Sequence, residues 1–121
     1  MSFTDFTEVL QNPHFPEVQD ISPEQVLKAQ HQVALIDVRE DDEWVGELGH
    51  IEGAKLINLG IIPKNFQSIP QDKTVVVVCK SGGRSARAAA FLKQQGYSHV
   101  FNMRGGMLLW NEKKFPTTQK K

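Results

Sequence analysis

The sequence contains only one cysteine, Cys79, among 121 residues. A single cysteine excludes an internal disulfide, a CxxC redox pair and a cysteine-rich zinc site. Histidines are few and lie far apart, without the spacing of metal ligands; they are His14, His31, His50 and His99. We therefore expect neither a metal nor another cofactor, and no second thiol in the chain that could react with Cys79.

Net charge and long apolar runs are absent as well. The 14 acidic and 14 basic side chains balance to zero, which argues against nucleic acid or a membrane surface as a partner. No stretch approaches the roughly 18 apolar residues of a membrane-spanning helix, and residues 1–15 lack the basic and apolar regions of a signal peptide. These absences predict a cytoplasmic protein, in a compartment that keeps a free thiol reduced.

The composition, with 40% apolar and 23% charged residues, is typical of one globular domain with its own core. We divide the chain into an N-terminal accessory segment at 1–17, a main domain at 18–116 and a polar tail at 117–121, which we expect to fray. Apolar residues at helical spacing predict a short amphipathic helix in the accessory segment; they are Phe3, Phe6, Val9 and Leu10.

A strand, a loop and a helix are predicted around Cys79. Four consecutive valines, Val75 to Val78, are typical of a strand buried on both faces. Two glycines allow the loop after Cys79 to turn tightly. Strong helix formers then run from Ser85 to Gln95, and Gly96 is placed to end the helix. Cys79 should therefore lie between the carboxyl end of a buried strand and the start of a helix.

This placement makes Cys79 a candidate nucleophile. Free N–H groups of a loop and of a first helical turn form a site for an anion, and a thiolate is an anion. Arg84 and Lys80 should stabilise the thiolate further. We expect a charged sulfur within reach of solvent. The alternative is that Cys79 is only a small apolar residue of the core.

The remaining segments alternate between strands and helices. Ser22, Pro23 and Gln25 form a capping box that starts a helix running to about Gln30, and further helices are predicted from the acidic residues 40–43 and at 107–110. Further strands are predicted at 18–21, 33–36, 55–58 and 98–103. The loop at 60–70 should hold one helical turn, whose Ile61, Ile62 and Phe66 either join the core or rim a pocket.

This alternation predicts an α/β domain with a mainly parallel sheet and helices on both faces. Ligands bind such sheets outside the carboxyl ends of the strands, where the Cys79 loop lies. The chain has no internal repeat and no linker to a second domain.

Five short motifs, in order, resemble the single-domain rhodaneses, the thiosulfate sulfurtransferase family. The matching pieces cover nearly the whole main domain: ISPEQV at 21–26, LIDVR at 35–39, GHIEGA at 49–54, CKSGGRS at 79–85, and Gly105-Gly106 followed by Trp110. The resemblance implies a rhodanese-like fold with about five strands in the sheet.

The resemblance also implies roles for individual residues. Cys79 would accept a sulfane sulfur and hold it as a persulfide, and the backbone amides of the loop would bind the sulfur donor; the loop residues are Lys80, Ser81, Gly82, Gly83, Arg84 and Ser85. Arg84 would contact departing sulfite or hold the loop shape, and Lys80 would add positive charge at the mouth. Asp37, Arg39 and His50 would be structural supports.

The implied reaction is a double displacement between a small anionic sulfur donor and an external acceptor, which is cyanide, a thiol or a protein cysteine. A related phosphatase and arsenate reductase branch uses a cysteine-to-arginine loop with one more residue, whereas four residues separate Cys79 from Arg84 here. Another alternative is a non-catalytic module that binds a partner, although such relatives typically lack the cysteine.

Overall fold

The computed structural model describes residues 3–121 and shows one six-stranded sheet in the order β1-β2-β6-β5-β3-β4. Strands β2 to β6 run parallel, and β1 pairs antiparallel with β2 at one edge. The strands are β1 Leu10–Gln11, β2 Gln19–Ile21, β3 Ala34–Asp37, β4 Lys55–Leu56, β5 Val75–Val78 and β6 Val100–Met103. The predicted α/β class and mainly parallel sheet are confirmed, and the sheet has six strands where about five were expected, because β1 adds one at the edge.

Helices lie on both faces of the sheet, as predicted. They are α1 Pro23–Ala29, α2 Asp41–Trp44, α3 Ile62–Asn65, α4 Gly83–Gln94 and α5 Gly106–Glu112, with a 3₁₀ turn at Phe66–Ser68. The capping box of α1 is present: Ser22 Oγ accepts from the N–H of Gln25, whose side chain accepts from the N–H of Ser22. In residues 3–121 no helix has both the length and the apolar character needed to cross a membrane.

The central strand β5 divides the core into two clusters. Val75 and Val77 pack with residues of α3 and α4 on one face, and Val76 and Val78 pack with residues of α1 and α5 on the other. All four valines are at most 1% exposed. The run of valines therefore forms a strand covered on both faces, and it places Cys79 at the carboxyl edge of the sheet.

The predicted helix in the accessory segment is wrong. Within residues 3–17 the structure has no helix; the chain runs along the sheet and adds β1 at its edge. Phe6 meets the ring of Phe101 at 5.0 Å, and Phe3 stacks on His99 at 3.7 Å. The apolar residues thus pack against other parts of the domain from an extended segment. The helical spacing of these apolar residues does not produce a helix, because contacts with the sheet determine the backbone conformation of this segment.

Two weaker expectations are also settled by the packing. In the 60–70 loop, Ile62 is 1% exposed and belongs to the cluster of Val75 and Val77, and Phe66 packs against that cluster, whereas Ile61 is 47% exposed.

The polar tail pairs with the domain at Thr118. Its N–H donates to the carbonyl of His50 at 2.9 Å, and its carbonyl accepts from the N–H of His50 at 2.8 Å. Fraying therefore does not extend to Thr118.

Candidate active site

The loop that follows β5 wraps around the sulfur of Cys79. The N–H of Gly82 donates a hydrogen bond to Sγ at 3.0 Å, and the hydroxyl of Ser85 lies 3.2 Å from Sγ. The expectation that the sulfur is open to solvent is wrong: Cys79 is 1% exposed. The loop encloses it, and its side chain packs beside the apolar cluster under α4. The sulfur nevertheless accepts a hydrogen bond from a peptide N–H and has a hydroxyl beside it, which distinguishes it from an inert core thiol.

Helix α5 sets the direction of the loop's peptide groups. The N–H of Met107 donates to the carbonyl of Cys79 at 2.8 Å, and the N–H of Leu108 donates to the carbonyl of Lys80 at 3.0 Å. Because these carbonyls are held toward α5, the peptide N–H groups that follow point the opposite way. Gly106 permits this close approach, since a Cβ at that position would lie 2.5 Å from the carbonyls of Cys79 and Lys80.

Several loop N–H groups are left free to bind an anion. Within residues 3–121, the N–H groups of Lys80 and Ser81 donate to no protein acceptor. Gly83, Arg84 and Ser85 are the first three residues of α4, and N–H groups in a first helical turn have no partner within the helix. The loop therefore combines one sulfur nucleophile with a set of unpaired donors around it.

Arg84 closes the loop through an ion pair that the sequence analysis missed. Its guanidinium binds the Glu43 carboxylate with two hydrogen bonds, at 2.7 and 2.9 Å. This pairing lowers the pKa of Glu43 to about 2 and raises the pKa of Arg84 above its ordinary value. The only available signal was the acidic character of residues 40–43, which we attributed to the dipole of α2. In fact, α2 carries Glu43 to a loop 41 residues away.

Replacing Glu43 with Gln should remove an acid-sensitive contribution to stability. The carboxylate in the folded protein has the lower pKa, so its contribution is present above the ordinary value of 4.5 and disappears as pH falls toward 2. We expect Glu43→Gln to cost about 1 kcal/mol at neutral pH, because the pair is partly exposed. Chemical denaturation at a series of pH values measures this difference.

The control variant is Glu24→Gln, which disrupts an exposed pair with Lys113 remote from the loop. It should change stability less than Glu43→Gln at neutral pH. If wild type and Glu43→Gln have the same pH dependence of unfolding, the ion pair does not contribute as described.

A buried polar chain extends from Ser85 away from the sulfur. The Ser85 hydroxyl also donates a short hydrogen bond to the side-chain oxygen of Asn102, and the Asn102 amide donates to Asp20 at 3.0 Å. Asp20 in turn accepts from the Asn12 amide at 3.0 Å. All four residues are at most 6% exposed. Sequence reasoning missed this chain because the 11–20 region, α4 and β6 meet only in the folded structure.

The predicted supports lie beside the loop or one element away from it. Asp37 and Arg39 form a buried ion pair at 2.8 Å, and Arg39 also donates to the carbonyl of Gly49 at 2.7 Å. The ring of His50 stacks on Trp44 at 3.4 Å, and its Nδ1 lies 2.7 Å from the Trp44 carbonyl. These contacts join β3, α2 and the 49–50 turn. In residues 3–121, no cluster of side chains suited to a metal is found.

The fold and the loop together define a class of α/β domain that holds one cysteine at the carboxyl end of its central strand, among free peptide N–H groups. The Rhodanese-like domain family model matches residues 22–113, and the chain belongs to this family. The resemblance noted in the motifs is thereby confirmed.

Named relatives and solved structures agree with this membership. The chain is 39% identical over 94 residues to the "Sulfurtransferase" of Allochromatium vinosum, covering 78% of this chain and 86% of that protein. It is 36% identical over 93 residues to the "Thiosulfate sulfurtransferase GlpE" of Pseudomonas aeruginosa, covering 76% and 83%. The crystal structure of a rhodanese-related protein from Thermoplasma volcanium superposes with a TM-score of 0.78 at 27% identity, covering 84% and 98%. Together these comparisons support sulfur transfer as the general function.

Proposed function

We propose that this protein is a thiosulfate sulfurtransferase that carries sulfur as a persulfide on Cys79. The observation that supports this most strongly is the environment of Sγ, which faces the Gly82 N–H at 3.0 Å and the Ser85 hydroxyl at 3.2 Å inside a loop with further free N–H groups. The Gly82 N–H and the free N–H groups of the loop stabilise the thiolate before the reaction and the persulfide anion after it, while the Ser85 proton is donated to Asn102.

The first half-reaction begins with attack of the Cys79 thiolate on the outer sulfur of thiosulfate. A bond forms between Sγ and that sulfur, the sulfur–sulfur bond of thiosulfate breaks, and its electron pair leaves with sulfite. The loop N–H groups would donate hydrogen bonds to the anionic oxygens of thiosulfate. Lys80, which is exposed, would add positive charge at the mouth.

The second half-reaction requires an acceptor from outside the chain, because Cys79 is the only cysteine in the sequence. Cyanide, a small thiol or a cysteine of another protein would attack the outer sulfur and restore the thiolate. The cytoplasmic location stays a prediction.

The other residues of the site would act by holding the loop in place. Glu43 binds both terminal nitrogens of the Arg84 guanidinium, so Arg84 would hold the shape of the loop. It would contact sulfite only if the ion pair with Glu43 opened. Asp37, Arg39 and His50 would anchor the neighbouring segments through the contacts given above. These remain structural supports in the proposal.

The length of the loop argues against phosphate chemistry. Four residues separate Cys79 from Arg84, one fewer than in the related phosphatase branch, and a smaller ring suits a sulfur atom better than a tetrahedral phosphate. The presence of Cys79 within a polar loop argues against a purely non-catalytic binding module.

Intact mass measurement after incubation with thiosulfate tests the proposal. We expect wild type to gain about 32 Da, the mass of one sulfur atom, and to lose it on addition of cyanide. In a double displacement the single nucleophile accepts one sulfur atom and then passes it to the acceptor. The phosphatase alternative is measured in parallel with p-nitrophenyl phosphate. Absence of the mass gain, or turnover of the phosphate ester that is lost in Cys79→Ser, would contradict the proposal.

A further inference from the structure

The buried chain of hydrogen bonds behind Ser85 has a direction that is fixed at its far end. Asn12 Oδ1 accepts from the N–H groups of His14 and Phe15, at 2.9 and 3.0 Å. Because a backbone N–H can only donate, the oxygen of the Asn12 amide must be the atom on that side. Its Nδ2 then faces Asp20, at 3.0 and 3.3 Å from the two carboxylate oxygens.

Asp20 passes this direction on to Asn102. An ionised carboxylate only accepts hydrogen bonds, so the Asn102 atom that lies 3.0 Å from Asp20 Oδ1 is the donor Nδ2. The oxygen of Asn102 consequently faces Ser85 and accepts its proton in a short hydrogen bond. Asn12 belongs to the accessory segment, which lies across a cavity from the cysteine loop. Contacts in that segment therefore determine where a proton lies beside Cys79.

The direction of the chain decides what Ser85 presents to the sulfur. A serine hydroxyl has one proton, and here Asn102 accepts it, so the oxygen 3.2 Å from Sγ offers a lone pair. A thiol S–H can donate to that lone pair, whereas a thiolate has no proton to donate and is repelled by it. Ser85 and Asn102 are 0% and 1% exposed, so bulk solvent does not reach either group. The Ser85 oxygen thus opposes the Gly82 N–H, which stabilises a charged Sγ.

We propose that Asp20 and Asn102 are positioning residues that keep the Ser85 proton away from Sγ and so disfavour negative charge on that atom. The sulfur-free protein then holds less thiolate than the loop donors alone would give. For the sulfur-loaded protein the inference rests on the proposed function. When cyanide attacks the outer sulfur of the persulfide, the bond from that sulfur to Sγ breaks and its electron pair stays on Sγ. Because the chain disfavours that charge, it slows the discharge and the protein retains its sulfur.

Two substitutions release the Ser85 proton in different ways. Asn102→Ala removes the acceptor, so the hydroxyl can donate to Sγ, and no charge changes. Asp20→Asn replaces one carboxylate oxygen with an amide donor. Asn102 then accepts from the new amide and turns its own Nδ2 toward Ser85, which frees the same proton. Because Asp20→Asn also removes a negative charge, it is combined with Ser85→Ala to measure the effect of that charge alone.

The thiolate is measured by its ultraviolet absorbance across a pH series, with Cys79→Ser as the blank, since the chain has one cysteine. At a pH where wild type holds both forms, we expect the ratio of thiolate to thiol to rise about tenfold in Asn102→Ala and in Asp20→Asn, the effect of one hydrogen bond to a charged group. In the Ser85→Ala background, Asn102→Ala should change the ratio by less than about twofold, and Asp20→Asn should raise it less than it does when Ser85 is present.

Asp72→Asn is the matched control for the change from carboxylate to amide. Asp72 is exposed and precedes β5, at the opposite end of the strand from Cys79. This variant should leave the ratio of thiolate to thiol within about twofold of wild type, because solvent screens a distant exposed charge.

The discharge step is measured separately on protein loaded with thiosulfate and freed of the donor. Loss of the added sulfur on mixing with cyanide is followed by intact mass. We expect the rate constant to rise roughly threefold in Asn102→Ala, less than the change in thiolate, because the leaving sulfur carries only part of its final charge in the transition state. Asp72→Asn should discharge at the wild-type rate.

A ratio of thiolate to thiol in Asn102→Ala that equals that of wild type, or that rises equally with and without the Ser85 hydroxyl, would overturn the assignment. Thermal unfolding shows whether each variant is folded; if Asn102→Ala is not, the comparison of Asp20→Asn with and without Ser85→Ala decides in the same way. Failure of wild type to acquire sulfur from thiosulfate would remove the proposed function but would not alter the thiolate measurement. The two failures are therefore distinguishable.

Discussion

Replacement of Cys79 with Ser is expected to reduce sulfur transfer from thiosulfate to cyanide by at least about 10³-fold, because a hydroxyl cannot store sulfur as a persulfide. The steady-state rate of thiocyanate formation measures this loss. The expected result follows from the single nucleophile: the sequence holds no second cysteine that could take over.

The control for this variant is its stability. The serine hydroxyl can accept the hydrogen bond that Gly82 donates to Sγ at 3.0 Å, so the free energy of unfolding should change by no more than about 1 kcal/mol. A folded Cys79→Ser protein that still forms thiocyanate at a rate near that of wild type would contradict the persulfide mechanism.

Replacement of Gly106 with Ala should destabilise the protein by about 3 kcal/mol and disorganise the loop. A Cβ there would lie 2.5 Å from the carbonyl oxygens of Cys79 and Lys80, and Gly106 has φ of +58°. The left-handed conformation costs roughly 1–2 kcal/mol for a non-glycine residue, and forced overpacking costs about 1–3 kcal/mol more. Thermal unfolding measures the loss, which corresponds to roughly 10 °C in Tm.

Two other glycines separate the contributions to this effect. Gly53 has φ of +93° with open space around its missing Cβ, so Gly53→Ala reports the conformational cost alone. Gly60 has open space and no positive φ, so Gly60→Ala should be nearly neutral. Only Gly106→Ala should also slow sulfur loading, because only this residue sets the distance between α5 and the loop carbonyls. If Gly106→Ala has the same Tm as Gly53→Ala, the close approach of Gly106 to the loop carbonyls does not contribute to stability as described.

Much of the fold could be predicted from local patterns. Four valines in a row predicted a strand at Val75–Val78, and the structure has it at those residues. Ser22, Pro23 and Gln25 likewise predicted the start of α1. These predictions succeed because burial on both faces and helix capping depend on residues close together in the chain. The helix in the accessory segment failed because contacts with the sheet, far away in sequence, outweigh an apolar spacing.

The candidate site was likewise predicted only in part from the sequence. The loop from Cys79 to Ser85 was identified from its own residues, since a thiol, two glycines and two cations lie within seven positions. Glu43, Asn102 and the Asn12–Asp20 contact were missed, because each reaches the loop from another segment. Solvent access of Cys79 was also misjudged, since how closely a loop encloses a side chain depends on what packs above and below it.

By itself, the sequence determined the class of fold, the position of the one possible sulfur nucleophile and the short loop around it, because these follow from composition and from neighbours along the chain. Only the tertiary structure decided which way the loop peptides face, which carboxylate holds Arg84, and that residues of the accessory segment lie across a cavity from the loop. The physical reason is that hydrogen-bond direction, ion pairing and cavity shape arise between segments distant in sequence. Such contacts leave no periodic signature in the amino acids that make them.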